Sequence, residues 1–98
     1  MDKWEEVGEI GVDAGMVMIG DPCYTLGDNA THRVKDWGDF CENHYTKEKG
    51  GVSVHPFGIA VHSGLGDGTY KVFVKRKDMG TWGVRIAEMR VVFISGRG

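Results

Sequence analysis

The chain holds only two cysteines in 98 residues, Cys23 and Cys41. That is too few for the disulfide framework of a small secreted domain. No apolar run approaches the ~20 residues that span a bilayer as a helix, so no membrane partner is expected. The opening stretch, MDKWEEVGEI, is acidic and lacks the apolar segment of a signal peptide. The expected location is the cytoplasm, where a Cys23–Cys41 bridge is disfavoured. Net charge is only −2. The strongly basic footprint of a general nucleic-acid binder is therefore missing. Repeats, linkers and low-complexity tracts are missing too, and residues 1–98 read as a single domain.

Glycine, in contrast, is abundant: sixteen residues, about twice the usual share. The glycines follow no period and read as many tight turns, which favours short strands. Apolar residues make up 41% and charged residues 27%, the balance of an ordinary globular domain rather than a disordered one. A chain of this length buries a modest core, and a homo-oligomer is expected. Charge is split along the chain. Residues 1–50 hold five Lys/Arg against eleven Asp/Glu, giving −6; residues 51–98 hold seven against three, giving +4. Such a split marks an anion-binding face, two faces that attract each other between subunits, or unremarkable solvated strands.

The local pattern is mostly of period two. EVGEIGVD and GMVMIG read as two short strands around Asp13-Ala14-Gly15, an opening hairpin. VSVHPF and GIAVHSG follow later in the chain. In TYKVFVKRK, Tyr70, Val72 and Val74 share one side, and Lys71, Phe73 and Lys75 the other. The final strand, VRIAEMRVVFI, changes phase: Val84 and Ile86 form one series, and Ala87, Met89, Val91 and Phe93 a second. A β-bulge near Ile86 to Glu88 would reconcile them. Residues 31–46 differ, since Val34, Trp37, Cys41 and Tyr45 fall on one helical face, with Thr31 as N-cap. The expected fold is α+β, mainly β: a small twisted antiparallel sheet, sandwich or half-barrel of about six strands with one helix.

The run SGLGDGTYKV, Ser63 to Val72, carries three alternate glycines: Gly64, Gly66 and Gly68. It is not a P-loop, because a strand and not a helix follows and no Gly-Lys-Ser/Thr is present. Asp67-Gly68 between alternating strands is a hairpin signal, with Gly68 expected at positive φ. The other glycines exceed what a tight turn needs and permit close approach of a ligand or another backbone.

VDAGMVMIGDPCY, HSGLGDGTYKVFV and RIAEMRVVF together resemble a family of small phage and bacterial proteins of unknown function. Its members carry a Val-Asp-x-Gly strand, an Asp-Pro-Cys-Tyr turn, a Gly-Trp-Gly-Asp-Gly-x-Tyr hairpin and a final strand ending in Asp-Phe or Val-Phe. Here Leu65 stands where tryptophan is usual, and residues 25–50 match nothing in the pattern. The resemblance implies a compact β-rich fold and no catalytic assignment. Phage membership implies a role against host defence, in the host cytoplasm.

Cys23, His32, Cys41 and His44 are zinc-ligand types, but Cys23 and His32 lack a standard spacing, and no metal site is assigned. Cys23 beside Asp21 is a poor nucleophile, since a carboxylate raises a thiol pKa. No catalytic residue and no cofactor are expected. The expected function is non-enzymatic capture of a small anionic, nucleotide-like molecule between the glycine hairpin and the Asp-Pro-Cys-Tyr turn. Backbone amides of Gly64, Gly66 and Gly68 with Lys71, Arg85 and Arg90 would meet charge. Tyr24 and Trp82 would stack, and Asp21 and Asp67 would accept hydrogen bonds. Two competing classes are an interaction module docking a host or virion protein through a β edge, and a metal-dependent hydrolase.

Overall fold

The computed structural model describes residues 3–24, 37–45, 50–55 and 58–94. The fold is α+β and mainly β, built from two three-stranded antiparallel sheets and one helix, without barrel closure. The longer sheet has the order β1 (Glu5–Val12), β5 (Gly68–Asp78), β6 (Val84–Val92). The shorter has the order β2 (Met16–Ile19), β4 (Gly58–His62), β3 (Val52–His55). Helix α1 covers Trp37–His44. Residues 31–36 and 46 of the expected helix lie outside the described residues. Two 3₁₀ turns, Pro22–Tyr24 and Gly80–Trp82, complete the description.

The six expected strands are present, but two of their connections differ from expectation. β1 and β2 do not form a hairpin, and neither do β4 and β5. β1 pairs with β5 up to Val12↔Gly68, and β2 pairs with β4 from Met16↔His62. Two antiparallel strands therefore leave one sheet side by side and enter the other together. The Ser63 amide donates to the Gly15 carbonyl at 3.0 Å and bridges the gap in the ladder. Turn-forming residues at 13–15 and 63–67 bend the ribbon, as strands that switch sheets require. The sequence alone could not separate such a corner from a hairpin, because both need the same glycines.

Gly68 has φ 152° and Gly64 φ 61°. At Gly64 the constraint is double. Its conformation is left-handed, and an added Cβ would sit 2.8 Å from the Phe93 Cβ and 3.2 Å from Ile94 Cγ1. The corner thus packs directly on the chain leaving β6.

Alternation in β5 places Tyr70 and Val74 in the interior, with Val12 of β1 on the same side. In the shorter sheet, Ser53 and Ala60 are paired and buried, and Phe40 of α1 packs on Ala60 with Met16 beside it. Burying a phenylalanine there contributes about 1.5–3 kcal/mol. The opposite face of this sheet carries Val17, Ile19, Val52, Val54, Ile59 and Val61 by register, and Val54 is 74% exposed.

The suspected bulge is present. Lys75 pairs with Glu88 and Arg76 with Ile86, which leaves Ala87 as the extra residue of β6. Val84, Ile86, Met89 and Val91 consequently share the Tyr70 side of the sheet, while Arg85, Glu88 and Arg90 share the Lys71 side.

Substituting Gly64→Ala is expected to lower the unfolding free energy by more than ~2 kcal/mol. The left-handed backbone costs about 1–2 and the overpacking about 1–3. Gly66→Ala, whose Cβ would meet nothing within 4 Å, should lose only the backbone part. Urea denaturation of the two variants measures the difference.

Candidate functional site

The glycine loop closes on itself. Ser63 is fully buried, and its hydroxyl donates to the Gly66 carbonyl at 2.9 Å. The Tyr70 hydroxyl lies within bonding reach of the carbonyls of Ser63, at 2.9 Å, and of Gly66. Its single proton serves one of them at a time. The Gly66 amide donates to the Ser63 carbonyl at 2.9 Å and the Gly64 amide to His62 at 3.0 Å. Gly68 is held in the ladder opposite Val12. The amides of Gly64 and Gly66 expected to cradle an anion are therefore spent inside the loop. The alternate glycines serve the corner, and Asp67 and Leu65 project outward from it, Leu65 with 88% of its surface exposed.

The chemistry gathers instead on the outer face of the longer sheet. A groove of about 670 Å³ lies along the first half of β5 and the end of β6. Lys71, Phe73, Arg90 and Val92 line it from the outer face, and Tyr70 and Phe93 from the Tyr70 side, where the two strands end. The Arg90 guanidinium stacks 4.3 Å from the centroid of the Trp4 ring and 5.3 Å from that of Phe73. Lys75 approaches the same Trp4 ring at 4.8 Å. Phe93 meets Tyr70 edge-on at 5.3 Å, which joins the groove to the corner. Lys71 is 3.6 Å from Glu6, with both side chains about half exposed, so screening leaves this pair weak. Among the described residues, Arg90 meets rings and no carboxylate. A guanidinium stacked on aromatic faces keeps its N–H fork for a planar anion.

The other expected site residues lie elsewhere. Arg85 shares the outer face with Lys71 and Arg90, as the bulge allows, but pairs with Lys77, six residues along β5 from Lys71. Its Nε donates to the Trp82 carbonyl at 2.8 Å. Trp82 sits at the tip of the β5–β6 hairpin, 72% exposed, separated from the glycine loop by the full eleven-residue strand, roughly 34 Å. Asp21 precedes and Tyr24 ends the 3₁₀ turn beyond β2, at the far end of the shorter sheet. The expected site joining the glycine loop to the Asp-Pro-Cys-Tyr turn and Trp82 is not assembled within one chain. Sequence reasoning missed Trp4, Phe73 and Phe93. The placement of Phe73 between Lys71 and Lys75 on one strand face was the available signal.

At the Asp-Pro-Cys-Tyr turn, the Asp21 carboxylate accepts from the Cys23 amide at 3.0 Å. That bond, with a further one to the thiol, holds the Asp21 carboxyl below its ordinary range. The same carboxylate, through its side-chain hydrogen bond, pushes the Cys23 thiol up. Cys23 is exposed and Cys41 half-buried; His32 lies outside the described residues. No cluster of three or more metal-ligating side chains is found among the described residues, and none of their helices is long and apolar enough to cross a membrane. No family model, no curated protein and no solved structure matches the chain.

Two outcomes follow from this geometry. Tyr70→Phe is expected to cost about 1–1.5 kcal/mol in chemical denaturation, because each carbonyl it meets retains a second donor. Asp21→Asn removes the charge that opposes thiolate formation. Cys23 should then react several-fold faster with iodoacetamide near neutral pH, read by mass spectrometry with Cys41 as internal control.

Proposed function

We propose that the protein binds, without transforming, a small anionic molecule with an aromatic base-like part, held in the groove on the longer sheet. One observation carries this reading: Arg90, stacked on Trp4 and Phe73, stands beside Lys71 in an open groove of about 670 Å³. That volume falls in the range of small-ligand sites. Lys71 and Arg90 supply charge and Phe73 and Phe93 supply ring faces, a pairing suited to a nucleotide. Among the described lining residues there is no carboxylate, imidazole or thiol to serve as nucleophile or general base. By analogy with the phage proteins that the sequence motifs resemble, the proposed role is that of a cytoplasmic sponge for a nucleotide signal of host defence. A second reading, an interaction module that docks a host or virion protein through a β edge, draws on the outer edge of β6, which no strand among the described residues covers.

Calorimetry against cyclic dinucleotides, cyclic mononucleotides and ADP-ribose derivatives, with chromatography of the recovered ligand, tests the reading. Binding with intact ligand is expected. Lys71→Ala should weaken it chiefly at low salt, because exposed charges are screened over ~8–10 Å at physiological ionic strength. Phe73→Ala should weaken it by about 1–3 kcal/mol at all salt concentrations. Absence of heat from every nucleotide would transfer support to the β-edge module, and slow product formation would reinstate a hydrolase.

A further inference from the structure

We infer that two copies of the chain join through β6, antiparallel about a two-fold axis at Met89, into one six-stranded sheet. β6 is an edge strand whose residues Val84 to Arg90 are all exposed, including Ile86 at 57% and Met89 at 54%. A long edge bearing apolar side chains is a template for another strand. The opposite edge, β1, is protected differently: it bears Glu5, Glu6 and Glu9 and a register break at Glu6/Gly8. Like charges there oppose self-pairing. The radius of gyration is 15.7 Å, against about 13 Å for a compact domain of this length. Flatness of this degree leaves sheet surface for a partner.

Charge selects a second copy and fixes the register. With Met89 on the axis, Arg90 falls opposite the partner's Glu88, and Glu88 opposite the partner's Arg90. Beyond them the bulge at Ala87 shifts the ladder by one. Val91 then meets the partner's Ile86, and Phe93 meets the partner's Val84. Every apolar side chain on the Tyr70 side faces an apolar one, and both charged pairs on the Lys71 side are of opposite sign. Centring the axis on Glu88 or on Arg90 sets like charges against each other, which is destabilising. Slipping by one residue places Met89 opposite a charged residue and turns the apolar row to the wrong face.

The pairing has a consequence for the groove, and this part rests on the ligand-binding reading. Val92 lines the groove, and in this register it lies opposite the partner's Arg85. Each groove thereby gains an arginine that its own chain holds at the distant hairpin tip. Lys71 and the partner's Arg85 then flank one anion, with Arg90 shared between that anion and the partner's Glu88.

The test is independent of any ligand. Light scattering at micromolar concentration should give twice 10.8 kDa. In a Cys23→Ser background, Met89→Cys should form an intermolecular disulfide on mild oxidation, since paired strands hold opposed Cα atoms about 4.5–5.5 Å apart. Ile86→Cys should not link to itself, being roughly 15 Å from its own copy. Glu88→Arg should weaken dimerisation at least tenfold, and adding Arg90→Glu should restore it. A monomer of 10.8 kDa, or a dimer that cross-links through Ile86→Cys and not Met89→Cys, overturns the proposal. The charge-swap pair decides the matter if either cysteine variant fails to fold.

Discussion

The bend that carries two paired strands from one sheet into the other governs the rest of the molecule. It requires backbone conformations that side chains resist, so glycines occupy it. It also gathers carbonyls at a point where water is excluded, and the hydroxyls of Ser63 and Tyr70 satisfy them. Because Tyr70 must point inward to do so, the phase of β5 is set from its third residue. Tyr70 and Val74 then fall inside, and Lys71 and Phe73 fall outside. The groove face is therefore a by-product of the corner's hydrogen bonding. Phe93 reinforces the coupling, touching Tyr70 on one side while its Cβ lies against Gly64 on the other.

Electrostatics acts within this frame. The acidic first half and the basic second half of the chain meet in the longer sheet, where β1 lies along β5. Glu5 meets Arg76 at 3.2 Å and Glu6 meets Lys71 at 3.6 Å. Part of the charge split is thus spent between neighbouring strands. These exposed pairs add little stability each. Their larger effect is on register, since they set glutamates of β1 beside cations of β5. Arg90 differs from the other cations because its neighbours are rings, which leaves its charge directed at whatever enters the groove.

Much of the fold was legible in the sequence, and the reasons for the failures are physical. Period two and, for GMVMIG, a short apolar run identified the strands, and the phase change in VRIAEMRVVFI placed a bulge near Ile86 to Glu88, where the extra residue is Ala87. Gly68 has the positive φ expected of a hairpin turn, but in a corner between two sheets rather than in a hairpin. What sequence could not supply was partnership. A turn of Gly, Asp and Ser joins strands of one sheet or passes them to another, and only long-range pairing decides between these. For the same reason the candidate site was only half legible. Lys71 and Arg90 were named from charge and spacing. Trp4, 86 positions before Arg90, carried no local mark of their contact. Trp82 stood out as an aromatic in a glycine turn, but the length of β5 removes it from the groove.

The pairing of β1 with β5 also bears on how the chain is made. Hairpin β3–β4 closes locally, and β2 can join it once residue 62 has left the ribosome. β1 must wait for residues 68 to 78, so the strand synthesised before the other five is among the last to find its place. Contacts of such sequence separation slow folding, and an unpaired strand invites aggregation while it waits. β1 is suited to that interval. Its three glutamates and its glycines at 8 and 11 keep it hydrated and poor at pairing with strangers until the lysines and arginine of β5 arrive. The split of charge along the chain thus becomes a matter of timing: the half made first keeps itself apart until the half made last gives it a partner.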